Sequence, residues 1–391
     1  MLILRSHRRA PSLFACALSA GLLGASSALL GVCGPFTDVA ADAFCPFVLE
    51  LFTLGITTGT TPTTYDPTSS VTRLQMAAFL SRSVDGVLKR GSRRAALDQF
   101  WTTQNASVLG LTTVGTIPYL LKSDGTDVWV ANNASGTVSR VHGADGRLLE
   151  TWTGATSAYG VLVAMQRVFV TGGFTSPGNL YRIDPGQPAG AVTTLASTLG
   201  NFPYGVAFDG ARIWTANQGG SVSIVTPGAT IPWTVTTVTT GSGPAGALFD
   251  GANIWVTDQT LGSLLKLDSA GAVLQTVTLS IGASYPAFDG ANIWVPIYGF
   301  NSVSVVRASN GAVLQTLTGN GLQNPHAAAF DGQRVLVANN TNPGSVSLFK
   351  AADLSPLGSF PTGSGTIPFG ACSDGINFWI TLTVPGRLAQ F

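Results

Sequence analysis

The chain repeats one unit down its last three quarters. An Asp-Gly pair, with a large side chain five residues after the Asp, recurs at Asp124, Asp209, Asp250, Asp289, Asp331 and Asp374. Another copy has Ala164 and Met165 instead of the pair but keeps a large residue, Phe169, which brings the count to seven units spaced 39–45 residues apart. A period of about 40–45 residues with several short strands in each marks a propeller of four-stranded blades. The unit at 202–241 shows why. A weakly alternating run, 204–208, is bounded by Pro203 and by Asp209-Gly210, a dipeptide suited to hairpin turns because Gly accepts positive φ. β-rich runs follow at 212–216, at 221–225 after Gly219-Gly220, and at 234–239. The large positions are Trp129, Phe169, Trp214, Trp255, Trp294, Leu336 and Trp379. A residue fixed in every repeat is a packing address, and these are expected to fill the space between neighbouring blades.

The ends of the repeat region predict how the ring closes. The stretch 107–113, SVLGLTT, resembles the fourth strands elsewhere (AVLQTVT at 272–278, AVLQTLT at 312–318), yet it precedes the first unit, and the last unit stops after its third strand at 387–391. The N-terminal segment is therefore expected to supply the missing strand and remove two exposed sheet edges. The expected fold is mainly β: a seven-bladed propeller over 105–391, closed by an N-terminal strand and preceded by a small helical domain.

Composition narrows the habitat. Of 391 residues, 45% are hydrophobic and only 10% charged, with net charge +1. With no basic cluster beyond 89–94, the electrostatic footprint of a nucleic-acid binder is missing. Residues 1–28 place Arg5, His7, Arg8 and Arg9 before an apolar stretch rich in small residues, which reads as a secretory signal peptide. The stretch approaches bilayer-spanning length, so an uncleaved anchor is the alternative. A lipid-modified Cys33 is another alternative, although Val32 before it is not the small residue such processing favours. Cys33 and Cys45 are close enough in sequence for a bridge in an oxidising compartment, and Cys372 reads as a buried small hydrophobe. No zinc-type Cys/His spacing exists. A secreted or cell-surface location follows.

Between 33 and 90 the texture becomes helical. Phe44, Phe47, Val48, Leu51 and Phe52 recur at helical spacing, Gly55 and Gly59 break the run, and Thr72 with Gln75 forms a capping box for a second helix. Phe36-Thr37-Asp38-Val39, Gly55-Ile56 with Gly59, Tyr65-Asp66-Pro67 and Thr72-Arg73 follow one another in an order that resembles the S-layer homology domain over about 50 residues. The resemblance implies association with cell-envelope polysaccharide, with Asp38, Thr72 and Arg73 as site residues and the Arg73 guanidinium as donor to an acidic sugar. The usual Thr-Arg-Ala-Glu reads Thr72-Arg73-Leu74-Gln75, and one copy stands where anchoring proteins usually carry three. A spacer in which Arg73 only covers helix surface is the other reading. Residues 91–104 form a polar, basic linker.

Within the blades, the order of Pro, strand, Asp-Gly, Ile-Trp-Val, Gly-Ser-Val-Ser and Val-Leu-x-Thr resembles the YVTN and NHL-like propeller repeats, families that include binding proteins, sensors and a few enzymes such as the streptogramin lyases. Fold alone does not choose among these. Each first strand opens on Tyr119, Tyr159, Tyr204, Ala245, Ser284, His326 or Phe369, and the loops after second strands bring Asn132, Asn133, Asn217, Gln218, Asp258, Gln259, Asn339 and Asn340 to the same rim. Aromatic platforms with neutral amides suit an uncharged polar ligand, a glycan or peptide, or a protein partner. Equally, the aromatics can plug the channel while the Asn residues serve turns. An enzyme related to the streptogramin lyases would have to use His326. The only two glutamates, Glu50 and Glu150, are placed away from the channel, which leaves Asp258 as the one rim acid. One His with one carboxylate is too little for a metal site or a paired acid and base. The expectation is a monomeric, non-catalytic binding or display protein with no cofactor and no metal.

Overall fold

The computed structural model describes residues 110–391 throughout and, ahead of them, 35–39, 45, 48, 51–52, 57–73 and 75–80. The chain divides into two compact units, Met1–Arg93 and Arg94–Phe391. The expected signal segment, Cys33 and the linker lie outside the described residues.

The second unit is seven four-stranded antiparallel sheets. Blade 3 shows the plan: Pro203–Phe208, Ile213–Asn217, Ser221–Thr226 and Thr234–Thr239 pair in sequence order. Its strands fall within a residue or so of the sequence reading because turn residues bound them on both sides. The last sheet takes its outer strand from the other end of the repeat region. Gly110–Thr113 pairs antiparallel with Arg387–Gln390, Gly110 opposite Gln390 and Thr113 opposite Arg387. The expected closure is thus present, and the sheet order runs from the N-terminal strand through the last strand back to the inner strand of blade 7.

The large residues pack where their fixed spacing places them. Trp129 shares a core with Val168, Val170 and Tyr181 of blade 2, Trp214 with Ile254 and Val256 of blade 4, and Trp294 with Val335, Val337 and Phe349 of blade 6. Trp379 of the last blade packs on Leu121, Val128 and Val130 of the first, so the ring is sealed by side chains as well as by a strand. Aromatic burial of this kind removes roughly 150–250 Å² per side chain from water.

The Asp of each Asp-Gly pair does more than turn the chain. In blade 3 the Asp209 Oδ1 accepts the Ala211 and Arg212 N–H groups at 2.8 and 2.6 Å, and Oδ2 accepts the buried Trp214 Nε1–H at 2.7 Å. The same indole bond recurs at 2.7–2.8 Å from Trp129, Trp255, Trp294 and Trp379 to Asp124, Asp250, Asp289 and Asp374. Where Leu336 replaces Trp, Arg334 Nε donates to Asp331 instead, at 2.7 Å. Where the Asp is missing, Phe169 has no N–H to satisfy. Burial pushes the Asp209 carboxyl up, but the Trp214 indole and the turn amides outweigh it and hold it below the ordinary carboxylate range.

Near the axis the inner strands of some blades approach their neighbours so closely that a side chain has no room. A Cβ on Gly205 would lie 2.5 Å from the Ala245 carbonyl oxygen, and one on Gly370 2.4 Å from that of Tyr119. Cys372, in the inner strand of blade 7, is buried as expected, and burial pushes its thiol up to about 12.

In the N-terminal unit, Phe36, Val39 and Val48 form the core, with Cys45 and Tyr65 against it. Cys45, Val48, Leu51 and Phe52 are helical as the spacing predicts. Phe36 meets Phe52 edge to face at 5.3 Å. Gly59, at φ +76, leaves room for that ring: a Cβ there would sit 2.3 Å from the Phe36 ring. The capping box is present, with Thr72 N–H to Gln75 Oε1 at 2.8 Å and Gln75 N–H to Thr72 Oγ1 at 3.2 Å.

Candidate functional site

Because strands alternate in direction, the loops leading into first strands and those after second strands share one face of the ring, called the upper face below. Tyr119, Tyr159, Tyr204, His326 and Phe369 do converge there, but they fill the channel rather than line it. Tyr159 and Tyr204 stack at 4.2 Å with rings 8° apart, Tyr119 lies 4.4 Å from Phe369, and His326 lies 4.0 Å from Phe369. Tyr159 and Tyr285 reach across from blades 2 and 5 and bond hydroxyl to hydroxyl at 2.6 Å. Burial, first of all, drives both phenols well above their ordinary range. His326 is 8% exposed, its Nδ1 lies 3.3 Å from the Phe369 carbonyl oxygen, and burial lowers its pKa to about 4. It is a neutral imidazole inside an aromatic plug.

Blade 5 departs from the repeat. Ser284, in line with the other rim residues, is fully buried, and the next residue, Tyr285, enters the channel. Pro286 has no N–H to pair, so the inner strand shrinks to Ala287–Phe288. The Tyr285 backbone bonds instead to blade 6, its N–H to the His326 carbonyl and its carbonyl from the Ala328 N–H.

The neutral amides are used inside the blades. Asn132, Asn217 and Asn339 are fully buried, and each Nδ2 donates to two hydroxyls of the third strand: Thr137 and Ser139, Ser221 and Ser223, Ser345 and Ser347, at 2.9–3.2 Å. Asp258 is fully buried, its carboxylate accepting the Ser242, Gly243, Thr260 and Leu261 N–H groups. One position later, Asn133 and Asn340 latch the next blade by donating to the Ala158 and Pro368 carbonyls. None of the four buried side chains presents a surface to a ligand.

What the upper face does present was not legible from the repeat. Phe174 is 47% exposed, Tyr298 43% and Phe300 52%, all in loops after second strands. These loops, and those leading into first strands, contain no Asp, Glu, Lys or Arg. The opposite hairpins carry Asp124, Asp209, Asp250, Asp289, Asp331 and Asp374. Among the described residues, no three His, Cys, Asp or Glu side chains gather as a metal site would require.

In the N-terminal unit, Asp38 is exposed, and its carboxylate accepts the Tyr65 and Asp66 N–H groups at 2.7–3.1 Å, bonds that lower its pKa. It pins the turn ahead of the second helix. Arg73 stands exposed in that helix's first turn, next to the Thr72 cap. Comparison with family models matches residues 35–77 to the S-layer homology domain. The N-terminal unit contains an S-layer homology domain. That domain implies a cell-surface or secreted protein; among the described residues no helix is long and apolar enough to cross a membrane. No curated protein matches the chain.

Solved structures similar to the chain include a streptogramin B lyase, virginiamycin B lyase from Staphylococcus aureus and Kuenenia stuttgartiensis hydrazine synthase. Each aligns at TM-score 0.59 and 16% identity over 72% of this chain, and over 96%, 98% and 97% of the respective neighbour. At that identity the likeness is one of fold.

Proposed function

We propose that the chain is a non-catalytic binding protein displayed at the cell surface. Its S-layer homology domain associates with envelope polysaccharide through the Thr72-Arg73 turn, and its propeller offers the upper face to an uncharged ligand or partner. The observation that carries this reading is the division of charge: apart from Asp258, which is fully buried at the end of its strand, acids and bases of the propeller lie on the sides and lower hairpins, while the upper loops have none and expose aromatic rings. A surface of that kind binds through contact area and neutral hydrogen bonds. Arg73 supports the anchoring half, since it stands exposed beside the Thr72 cap and its planar guanidinium suits an acidic sugar.

The lyase names of two fold neighbours invite an enzymatic reading centred on His326. The imidazole is stacked in the plug with its Nδ1 against a backbone carbonyl, and Glu150 sits in an outer strand beside Arg140 and Trp152. That placement favours packing over acid–base work.

Retention on purified cell wall tests the anchoring. The whole chain should be retained, and Arg73→Ala should release most of it. Equal retention of both would reduce residues 33–90 to a spacer. Turnover of a streptogramin that disappears with a chelator would establish the enzyme instead.

A further inference from the structure

We propose that the upper face binds an extended, neutral polysaccharide laid across the aromatic plug, with Phe174 and Tyr298 as its stacking platforms. The inference rests on the reading of the propeller as a binding module and names its ligand class.

Phe174 stands nearly perpendicular to Tyr159 and Tyr204, both at 5.7 Å, so its edge is anchored on the plug while almost half of the side chain faces solvent. Across the axis, Tyr298 stands at 83° to His326 at 5.6 Å and is similarly exposed. Between them the rings are continuous, with Tyr159 6.2 Å from Tyr285 and Tyr285 5.1 Å from His326. The result is an aromatic track across the mouth of the ring whose middle rings, Tyr159, Tyr285 and His326, are buried and whose accessible faces are Phe174 and Tyr298 at its ends.

The track is closed from beneath. Tyr159 and Tyr285 share one hydroxyl–hydroxyl hydrogen bond across the channel and are buried, so a ligand lies on this surface rather than entering it. That shape favours an extended chain over a compact small molecule.

Each end of the track also carries a held amide. The Asn201 Oδ1 accepts the Ser176 hydroxyl at 2.8 Å, two residues from Phe174, and the Asn301 Oδ1 accepts the Asn324 N–H at 2.8 Å, beside Phe300. With their oxygens fixed, both amides keep their NH₂ groups for an outside acceptor. Flat apolar rings next to oriented neutral donors match a sugar, whose ring C–H face stacks while its hydroxyls accept hydrogen bonds. With no lysine or arginine in these loops, a uronate or phosphate-bearing polymer would give up its hydration without an ionic partner.

The test uses the full chain in affinity electrophoresis and calorimetry with soluble galactomannan, xyloglucan and mixed-linkage β-glucan as neutral probes, and polygalacturonate as the acidic one. Binding to a neutral polymer is expected. It should persist from low to high salt and weaken at least about tenfold in Phe174→Ala and in Tyr298→Ala. Phe174→Leu, which keeps apolar bulk without a flat ring, should weaken it as well.

Absence of binding to all three neutral polymers overturns the proposal. So does binding lost only in Arg73→Ala, which assigns the sugar to the S-layer homology domain. Concentration-dependent self-association of the unaltered chain, abolished by Phe174→Ala, would show that a second copy covers the face and would also overturn it. Chelator-sensitive turnover of a bound polymer would sink the non-catalytic reading itself, so the two failures are distinguishable.

Discussion

Asp209 and Trp214 allow the blade design to be measured. Replacing Asp209 with Ala removes the acceptor of the Trp214 Nε1–H, whose side chain is 1% exposed, together with the acceptor of the Ala211 and Arg212 N–H groups. A buried donor left unsatisfied costs about 1–3 kcal/mol, whereas the turn amides are nearer solvent and recover part of their loss by hydration, adding about 1 kcal/mol. The Arg212–Asp209 ion pair, which leaves 28% of the Arg212 side chain exposed, contributes little. Asp209→Ala should therefore destabilise by about 2–4 kcal/mol. In a Trp214→Phe background the indole donor is gone, and the same replacement should cost only the turn, about 1 kcal/mol. Blade 2 is already arranged this way, with Ala164 and Phe169 at the two positions. The measurement is a double-mutant cycle by urea unfolding of the full chain, followed by near-ultraviolet circular dichroism. A coupling of about 1–3 kcal/mol is expected. Additive effects, within about 0.5 kcal/mol, would refute the view that the carboxylate is kept for the indole.

Closure and pH give two further outcomes. Removing residues 105–113 deletes the strand opposite Arg387–Gln390 and should lower stability by about 2–5 kcal/mol, with amide exchange accelerating first in blade 7; an unchanged melting temperature would refute closure by that strand. His326 has an ordinary pKa of 6.5 when unfolded and about 4 when folded, and the rings against it, Tyr285, Tyr298 and Phe369, are uncharged. The unfolded chain therefore binds the extra proton first, so stability should fall as pH drops from 6.5 towards 4, by up to about 3 kcal/mol, while His326→Phe should flatten that slope. Asp124 and Asp209 act below this window because their folded pKa values lie under 3.8. A slope unaltered by His326→Phe would contradict burial of the neutral ring.

The fold was legible because its determinants repeat at fixed distances. Asp-Gly, the large residue and the displaced seventh fourth strand each hold a constant place in the unit, and the Thr72–Gln75 cap is local enough to read from four residues. The site was less legible, for particular reasons. Tyr285 lies one residue off the repeat because Pro286 breaks the strand ladder. Asn132, Asn217 and Asn339 look like rim ligands until their Ser partners in the third strand are seen, although the recurring Ser-Val-Ser was the available signal. The joint replacement of Asp and Trp in the second unit likewise pointed to their bond. Phe174, Tyr298 and Phe300 fall in loops outside the period, where no repeated position marks them.

That difference between faces has a physical origin. In the five blades that keep Trp, a lower hairpin must cap its turn and satisfy an indole, and a carboxylate does both at once, so folding itself fixes acids at that end of those blades. The upper loops meet their folding needs at their boundaries, where Asn217 and its counterparts hold the third strand and Asn133 and Asn340 hold the next blade. The residues between those latches carry no such duty and need not resemble one another from blade to blade. Loops held by a rigid scaffold in this way are where binding residues accumulate. Exposed aromatic rings there would be a solubility cost without a use, since apolar contact area left in water is unfavourable. The surface proposed for binding coincides with the positions where the repeat is least regular: the shortened inner strand of blade 5 and the ring-bearing loops of blades 2 and 5 on either side of the plug.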